Sequence, residues 1–333
     1  MTFDPIQFTR QLVDIESITG NEAAVGQFLA TQLEGLGYNV ERMPVERDRI
    51  NVFAAPPNDP EPPVVFSTHM DVVPPWIPSR EDHDNIYGRG SCDAKGIIAA
   101  QIAAAENLNR TGVPAGLLFV SGEERDSLGA QVANQNARGS RFIINGEPTE
   151  SRIALASKGA LRTEITCHGK MAHSAYPELG ESAIEKLLDA LQSLRAMKLP
   201  NNPEVGPSTL NIGIIEGGRA TNVIPDHAKA QLLYRLVGPS EDLRREIVEA
   251  VGIRGDVEFV LDIAYMRFRT VPGIPTMTAS FTTDIPKLTN WGEPVLFGPG
   301  SILVAHTDKE FISKRELLEA VETYQKIARH LLA

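Results

Sequence analysis

Two spacings of apolar residues alternate along the first half of the chain. Residues 4–15 and 21–36 carry apolar side chains at every third or fourth position, which predicts two amphipathic helices, with Asn21 as N-cap and Gly37 as stop. Short apolar or β-branched runs at 38–44, 50–55 and 63–68 predict strands, separated by a Pro-rich surface loop at 56–63. An Ala- and Ile-rich helix is expected over 94–110, a buried strand over Leu117–Ser121, a helix over 127–137 and a further strand over Phe142–Asn145. Strands alternating with helices indicate an α/β layer with a mostly parallel sheet.

The pattern changes after Ser157. Leu161–Cys167 alternates like a half-exposed strand, and a long helix follows over 181–196. Strands at 208–216 and 227–237 flank the turn-rich Gly217-Gly218-Arg219, and a helix at 240–251 leads to a strand at 256–264. This β-α-β-β-α-β order is that of a ferredoxin-like α+β sandwich. From about 270 the α/β character returns, closing with a helix over 314–332. The expected organisation is a discontinuous α/β domain, 1–158 with 269–333, carrying an inserted domain over 159–268. A chain of 333 residues also exceeds what a single hydrophobic core usually supports.

Composition narrows the partners. A net charge of -11 and a pI near 5.2 argue against nucleic acid or an anionic membrane. No apolar run approaches the length of a membrane span. The opening MTFDPIQFTRQLVDIES has early acids and no apolar core, so a signal peptide is not expected and the compartment is read as cytoplasmic. Cys92 and Cys167 cannot build a disulfide framework, and no C-x-x-C pair exists. The absence of G-x-S-x-G and of a histidine partner for Cys92 disfavours a nucleophilic hydrolase.

Chemistry collects at strand ends. Val64-Val65-Phe66-Ser67-Thr68 delivers His69 and Asp71 where α/β sheets place their ligand crevice. Two residues apart on a strand, the Asp71 carboxylate is expected to reach the His69 ring and raise its basicity as a ligand. Tyr87-Gly-Arg-Gly-Ser-Cys-Asp93-Ala-Lys-Gly96 leads into an apolar helix, where Asp93 reads either as an N-cap or as a carboxylate bridging two metals. Ser121-Gly122-Glu123-Glu124 sets two carboxylates side by side after an apolar strand, an arrangement that needs a cation or a proton unless it merely opens a surface helix. Glu147 ends another apolar strand, and His306 follows Gly298-Pro299-Gly300-Ser301. His69, Asp93, Glu124, Glu147 and His306 would form two nitrogen- and oxygen-donor shells sharing Asp93, a set that suits Zn2+ and tolerates Co2+ or Mn2+. His83, His168, His227 and His330 lack such a setting and read as surface or structural.

In this order, His69-Met70-Asp71, Gly88-Arg89-Gly90 to Asp93-Ala94-Lys95-Gly96, Ser121-Gly122-Glu123-Glu124, Gly146-Glu147-Pro148-Thr149 and His306 resemble the M20 metallopeptidase family over nearly the whole chain. The resemblance implies a zinc-peptidase-like catalytic domain with a lid domain that dimerises. It implies that His69 and Glu147 hold one zinc, Glu124 and His306 the other, and that Asp93 bridges them. Asp71 would orient His69, and Glu123 would act as general base and acid. Gly169-Lys170-Met171-Ala172-His173-Ser174 matches the lid motif whose histidine supports the substrate carbonyl, and Asn222 matches a second lid residue that reaches the substrate. Lys158, Thr282 and Ser301 stand where relatives hold substrate anions. The Gly298-Pro-Gly-Ser-Ile302 segment looks most like acetylornithine deacetylases, so the implied substrate is an N-acyl amino acid, with N-acetylornithine first. Desuccinylases, N-acetyl-lysine or N-acetyl-citrulline deacetylases and dipeptidases are the alternatives, and a non-catalytic binding homologue lies outside the class.

Overall fold

Strands buried on both faces show unbroken apolar runs rather than alternation, and two such runs form the middle of the main sheet. The computed structural model describes residues 3–333. The chain begins with α1 (Pro5–Val13) and α2 (Ala23–Gly35), then β1 (Asn39–Glu46), β2 (Arg49–Ala55), β3 (Val64–His69), α3 (Lys95–Arg110), β4 (Ala115–Val120), α4 (Leu128–Gln135) and β5 (Phe142–Asn145). It continues through β6 (Gly159–His168), α5 (Ala183–Ala196), β7 (Thr209–Gly217), β8 (His227–Leu236), α6 (Glu241–Val251) and β9 (Asp256–Ile263). It closes with β10 (Glu293–Leu296) and α7 (Lys314–Leu332).

These elements fall into two units, one reaching to Leu155 and completed by Phe268–Met277 and Thr283–Ala333, the other made of Ala156–Arg267 and Thr278–Thr282. In the first unit the six strands run in the order β1-β2-β4-β3-β5-β10. The β4, β3, β5 and β10 neighbours pair in parallel, while β1 and β2 are antiparallel additions at one edge. All residues of β3, β4 and β5 are buried, as expected for strands packed on both faces. Helices α1, α2, α3 and α7 share one core with the sheet, including Leu12, Leu29, Phe66, Ile98 and Tyr324. Leu118, Val120, Ile143 and Trp291 pack against α4 in a second core.

The second unit is the anticipated ferredoxin-like sandwich. Its sheet runs β7-β8-β6-β9, antiparallel throughout. Alternation decides its faces: Ala228, Ala230, Leu232, Tyr234 and Leu236 of β8 are buried, together with Leu187 and Leu191 of α5 and Leu243 and Ile247 of α6. An α/β unit and an inserted α+β sandwich are thus both present.

Two details depart from the sequence pattern. Glu22, not Asn21, holds the N-cap position of α2, and it makes no side-chain capping bond. Its buried carboxylate instead takes two hydrogen bonds of 2.7 Å from Arg49, because a buried guanidinium costs more to leave unpaired than a helix end does. Three short strands, Arg80–Glu81, Asn85–Tyr87 and Phe311–Ser313, form a small sheet that apolar periodicity did not indicate. Leu29, fully buried beneath α2, reports on the larger core. Leu29→Ala is expected to destabilise that unit by about 2–5 kcal/mol in urea unfolding, and an unchanged midpoint would contradict this packing.

Candidate metal centre

Parallel neighbours end together, so β3, β4 and β5 deliver their following residues to one rim of the sheet. His69 closes β3, the Gly122–Glu124 turn follows β4, and Gly146-Glu147 follows β5. Asp93 arrives on the loop before α3. Ala94 takes the cap position of that helix, leaving the Asp93 side chain free of a capping role.

The His69 ring is almost fully buried. Its Nδ1 lies 3.0 Å from the Asp71 carbonyl oxygen, and its Nε2 lies 3.0 Å from Asp93 Oδ1 and 4.0 Å from Glu147 Oε2. The other Asp93 oxygen, Oδ2, is 3.4 Å from His306 Nε2, which is itself 2.9 Å from Glu124 Oε1. One carboxylate therefore faces two imidazoles, each flanked by a glutamate. All five predicted ligand residues converge. Ligand atoms of His69, Asp93 and Glu124 lie within 4.8 Å of one another. Glu147 Oε1 is buried without a hydrogen-bond partner, as a donor atom reserved for a cation would be. Nitrogen and oxygen donors without thiolate fit a divalent metal of the zinc, cobalt or manganese kind.

Asp71 reaches the ring and does more besides. Its nearest carboxylate oxygen is 3.6 Å from the His69 ring, and its carbonyl makes the closer contact. The carboxylate is used on the neighbouring turn. Oδ1 accepts the backbone N–H groups of Gly122 at 2.9 Å and Glu123 at 3.1 Å, while Oδ2 accepts from Glu124 N–H at 3.2 Å and the Thr19 hydroxyl at 2.9 Å. Asp71 thus orients the ring with its backbone and the Glu123-Glu124 pair with its side chain. Gly122 permits this turn with φ +84°. His306 holds φ +63°, a left-handed conformation uncommon outside glycine, and its ring is 47% exposed, so this side of the cluster opens outward.

The electrostatics are those of crowded acids. Burial disfavours a charged His69 ring, yet hydrogen bonds to Asp71 and Asp93 hold its pKa well above the ordinary value. Hydrogen bonds to Asp93 and Glu124 raise that of His306 to about 10. Burial, with Asp284, Glu124 and Asp71 nearby, pushes Glu123 upward against the pull of His69. Glu147 is raised by burial and by Glu123 and Asp93.

Asp284 and Glu310 are the acids that the sequence reading missed. Asp284 is buried, both its oxygens lack hydrogen-bond partners, and burial lifts its pKa to about 7. It stands two residues after Thr282, which was singled out instead. Glu310 accepts backbone N–H groups of the Asp93 loop. Its only sequence signal was proximity to His306.

The remaining candidates lie elsewhere. In the second unit His173 pairs with Val223 in a short antiparallel ladder, its ring exposed and its Nδ1 accepting the Ala175 N–H at 3.1 Å. The Ser174 N–H donates to the Asn222 carbonyl at 3.0 Å, which brings the two lid residues side by side. Lys158, largely buried, donates to the Pro207 carbonyl at 2.7 Å. Thr282 is half-buried in the short Thr278–Thr282 segment of that unit. In the first unit the Ser301 hydroxyl donates to Glu150 at 3.2 Å rather than to the cluster. His83, His168, His227 and His330 are exposed.

Residues 155–254 match the peptidase dimerisation domain of the M20 type. Over 98% of its length the chain is 38% identical to a peptidase M20 domain-containing protein of Schizosaccharomyces pombe, covering 84% of that protein. It is 37% identical, again over 98%, to a probable carboxypeptidase of Aspergillus fumigatus, covering 86% of it. Among solved structures, the fold matches the aminopeptidase PepT of Bacillus cereus with a TM-score of 0.84 at 21% identity, over 99% of this chain and 98% of that one.

The His306 pKa is raised to about 10, so this ring carries a proton at pH 7 in the metal-free protein, and a metal bound there would displace it. Metal uptake at pH 7 is therefore expected to release protons and to tighten as pH rises. Titration calorimetry in buffers of different ionisation enthalpy measures this, and a buffer-independent heat would contradict it.

Proposed function

The chain belongs to the M20 peptidase family of metal-dependent amide hydrolases, and from that premise we propose a two-zinc peptidase that acts on short substrates with a free carboxylate, as a carboxypeptidase or dipeptidase. The observation that carries the reading is the Asp93 carboxylate, with one oxygen toward His69 and the other toward His306. The substrate class is supported by the probable carboxypeptidase relative. A second reading, deacetylation of an N-acyl amino acid such as N-acetylornithine, is favoured by the Gly298-Pro299-Gly300-Ser301-Ile302 segment. The two share one chemistry and differ in what lies on the acyl side of the amide.

In this proposal His69, Glu147, Glu124 and His306, with Asp93 between the two imidazoles, would hold the cation pair. When bound, the pair supplies Lewis acidity and makes water a usable nucleophile at neutral pH. Asp71 holds the His69 ring by its Nδ1, leaving Nε2 for the metal. It also fixes the backbone of Glu123, so that this carboxylate stands at the rim to take the proton of the attacking water and pass it to the leaving amine. His173 and Asn222 are the lid groups proposed to meet the substrate, and the dimerisation domain supports a homodimer. Among the described residues no helix is long and apolar enough to cross a membrane, and the two free, buried cysteines fit a cytoplasmic location.

Glu123→Gln is expected to keep its metal, by elemental analysis, while kcat falls by roughly 10²–10⁴. A variant with parental turnover would remove Glu123 from the mechanism. A panel of dipeptides, their C-terminally amidated counterparts and N-acetyl amino acids tests the substrate class. Hydrolysis of free but not amidated dipeptides is expected, and turnover confined to N-acetylornithine would reverse the ranking.

A further inference from the structure

One buried carboxylate joins the two loops that carry Asp93 and His306. Glu310 is 2% exposed and lies four residues after His306. Its Oε1 accepts three backbone N–H groups, from Gly90 at 2.9 Å and from Cys92 and Asp93 at 3.1 Å. Its Oε2 accepts from Arg89 Nη1 at 2.7 Å, and that nitrogen also donates to the Thr307 carbonyl at 3.0 Å. The Glu310 carbonyl accepts the Gly88 N–H at 3.2 Å, and the next residue, Phe311, pairs with Tyr87. The turn of three converging N–H groups is an anion-binding concavity, and the anion it holds is a side chain from the opposite loop. Packing alone does not require this. An apolar residue would fill the volume and leave the three N–H groups without an acceptor, each a costly orphan in a buried site.

We propose that Glu310 is a positioning residue for the metal pair, holding the Asp93 backbone so that its two oxygens stay apportioned between His69 and His306. The inference rests on the metal-centre reading above. Glu310 touches neither predicted ligand side chain and acts only through the loop. Residues that orient metal ligands through such contacts typically change metal affinity by about 10–100-fold when lost, and that is the effect expected here.

The test uses the full-length protein stripped of metal and titrated with Co2+ against a chromophoric chelator, with the visible spectrum of the bound ion recorded. Glu310→Asp keeps a charge for Arg89 but withdraws the carboxylate by one methylene from the three N–H groups. It is expected to weaken cobalt binding by about 10–100-fold and to alter the spectrum. The double variant Arg89→Met with Glu310→Gln abolishes the ion pair but keeps an acceptor oxygen, and is expected to bind cobalt with the parental affinity and spectrum. Parental binding by Glu310→Asp, or a loss in the double variant as large as in Glu310→Asp, overturns the proposal. If Glu310→Asp does not fold, Arg89→Met with Glu310→Ala, which removes the acceptor as well as the ion pair, takes its place: weaker cobalt binding than in the Arg89→Met, Glu310→Gln variant supports the proposal, and equal binding overturns it. A parent protein that takes up no cobalt overturns the metal-centre reading and this inference with it.

Discussion

Four carboxylates, those of Asp93, Glu123, Glu124 and Glu147, gather around two imidazoles at one rim of a parallel sheet. Like charges at such separations in a poorly solvated pocket repel strongly. Burial first, and then the neighbouring acids, push Glu123 and Glu147 upward against the pull of His69. The proposed pair of divalent cations would relieve the conflict, and other side chains hold the loops that carry these acids.

The arrangement is made by other acids. Asp71 takes three consecutive N–H groups of the Gly122–Glu124 turn. Glu310 takes three from the Gly90–Asp93 loop. Glu316, in the first turn of α7, accepts the Gly300 N–H at 2.9 Å and the Ser151 hydroxyl at 3.0 Å. Three loops around the centre are thus each anchored by a carboxylate that accepts backbone hydrogens. Charged acceptors make stronger hydrogen bonds than neutral ones, which suits loops that have no ladder of their own. Several of the 43 acidic residues behind the negative net charge therefore serve the interior, so the charge balance alone says little about the charge of a substrate.

The second unit shows a different economy. Its four antiparallel strands and two helices enclose a separate core around Leu187, Leu232, Tyr234 and Ile247, and His173 lies on a short ladder outside that sheet, with Asn222 just before the paired strand.

Much of this was legible in order along the chain. Apolar runs without alternation marked β3, β4 and β5 because strands covered on both faces must be apolar throughout. Alternation marked β6 and β8 because one of their faces is wet. The five clustered residues were legible because each closes or follows such a strand or a glycine-bearing loop, where chemistry is confined to few positions. Contacts between distant loops were not. Asp71 was expected on the His69 ring from strand geometry and lies 3.6 Å from it, but its hold on the backbone of residues 122–124 was not legible, since that turn is distant in sequence. Asn21 looked like a cap until the buried Arg49 claimed its neighbour Glu22. Asp284 and Glu310 carry no local pattern at all, since their burial depends on which loops meet them. Periodicity records the faces of a single element, whereas the partner of a buried charge is selected by packing between elements far apart in sequence.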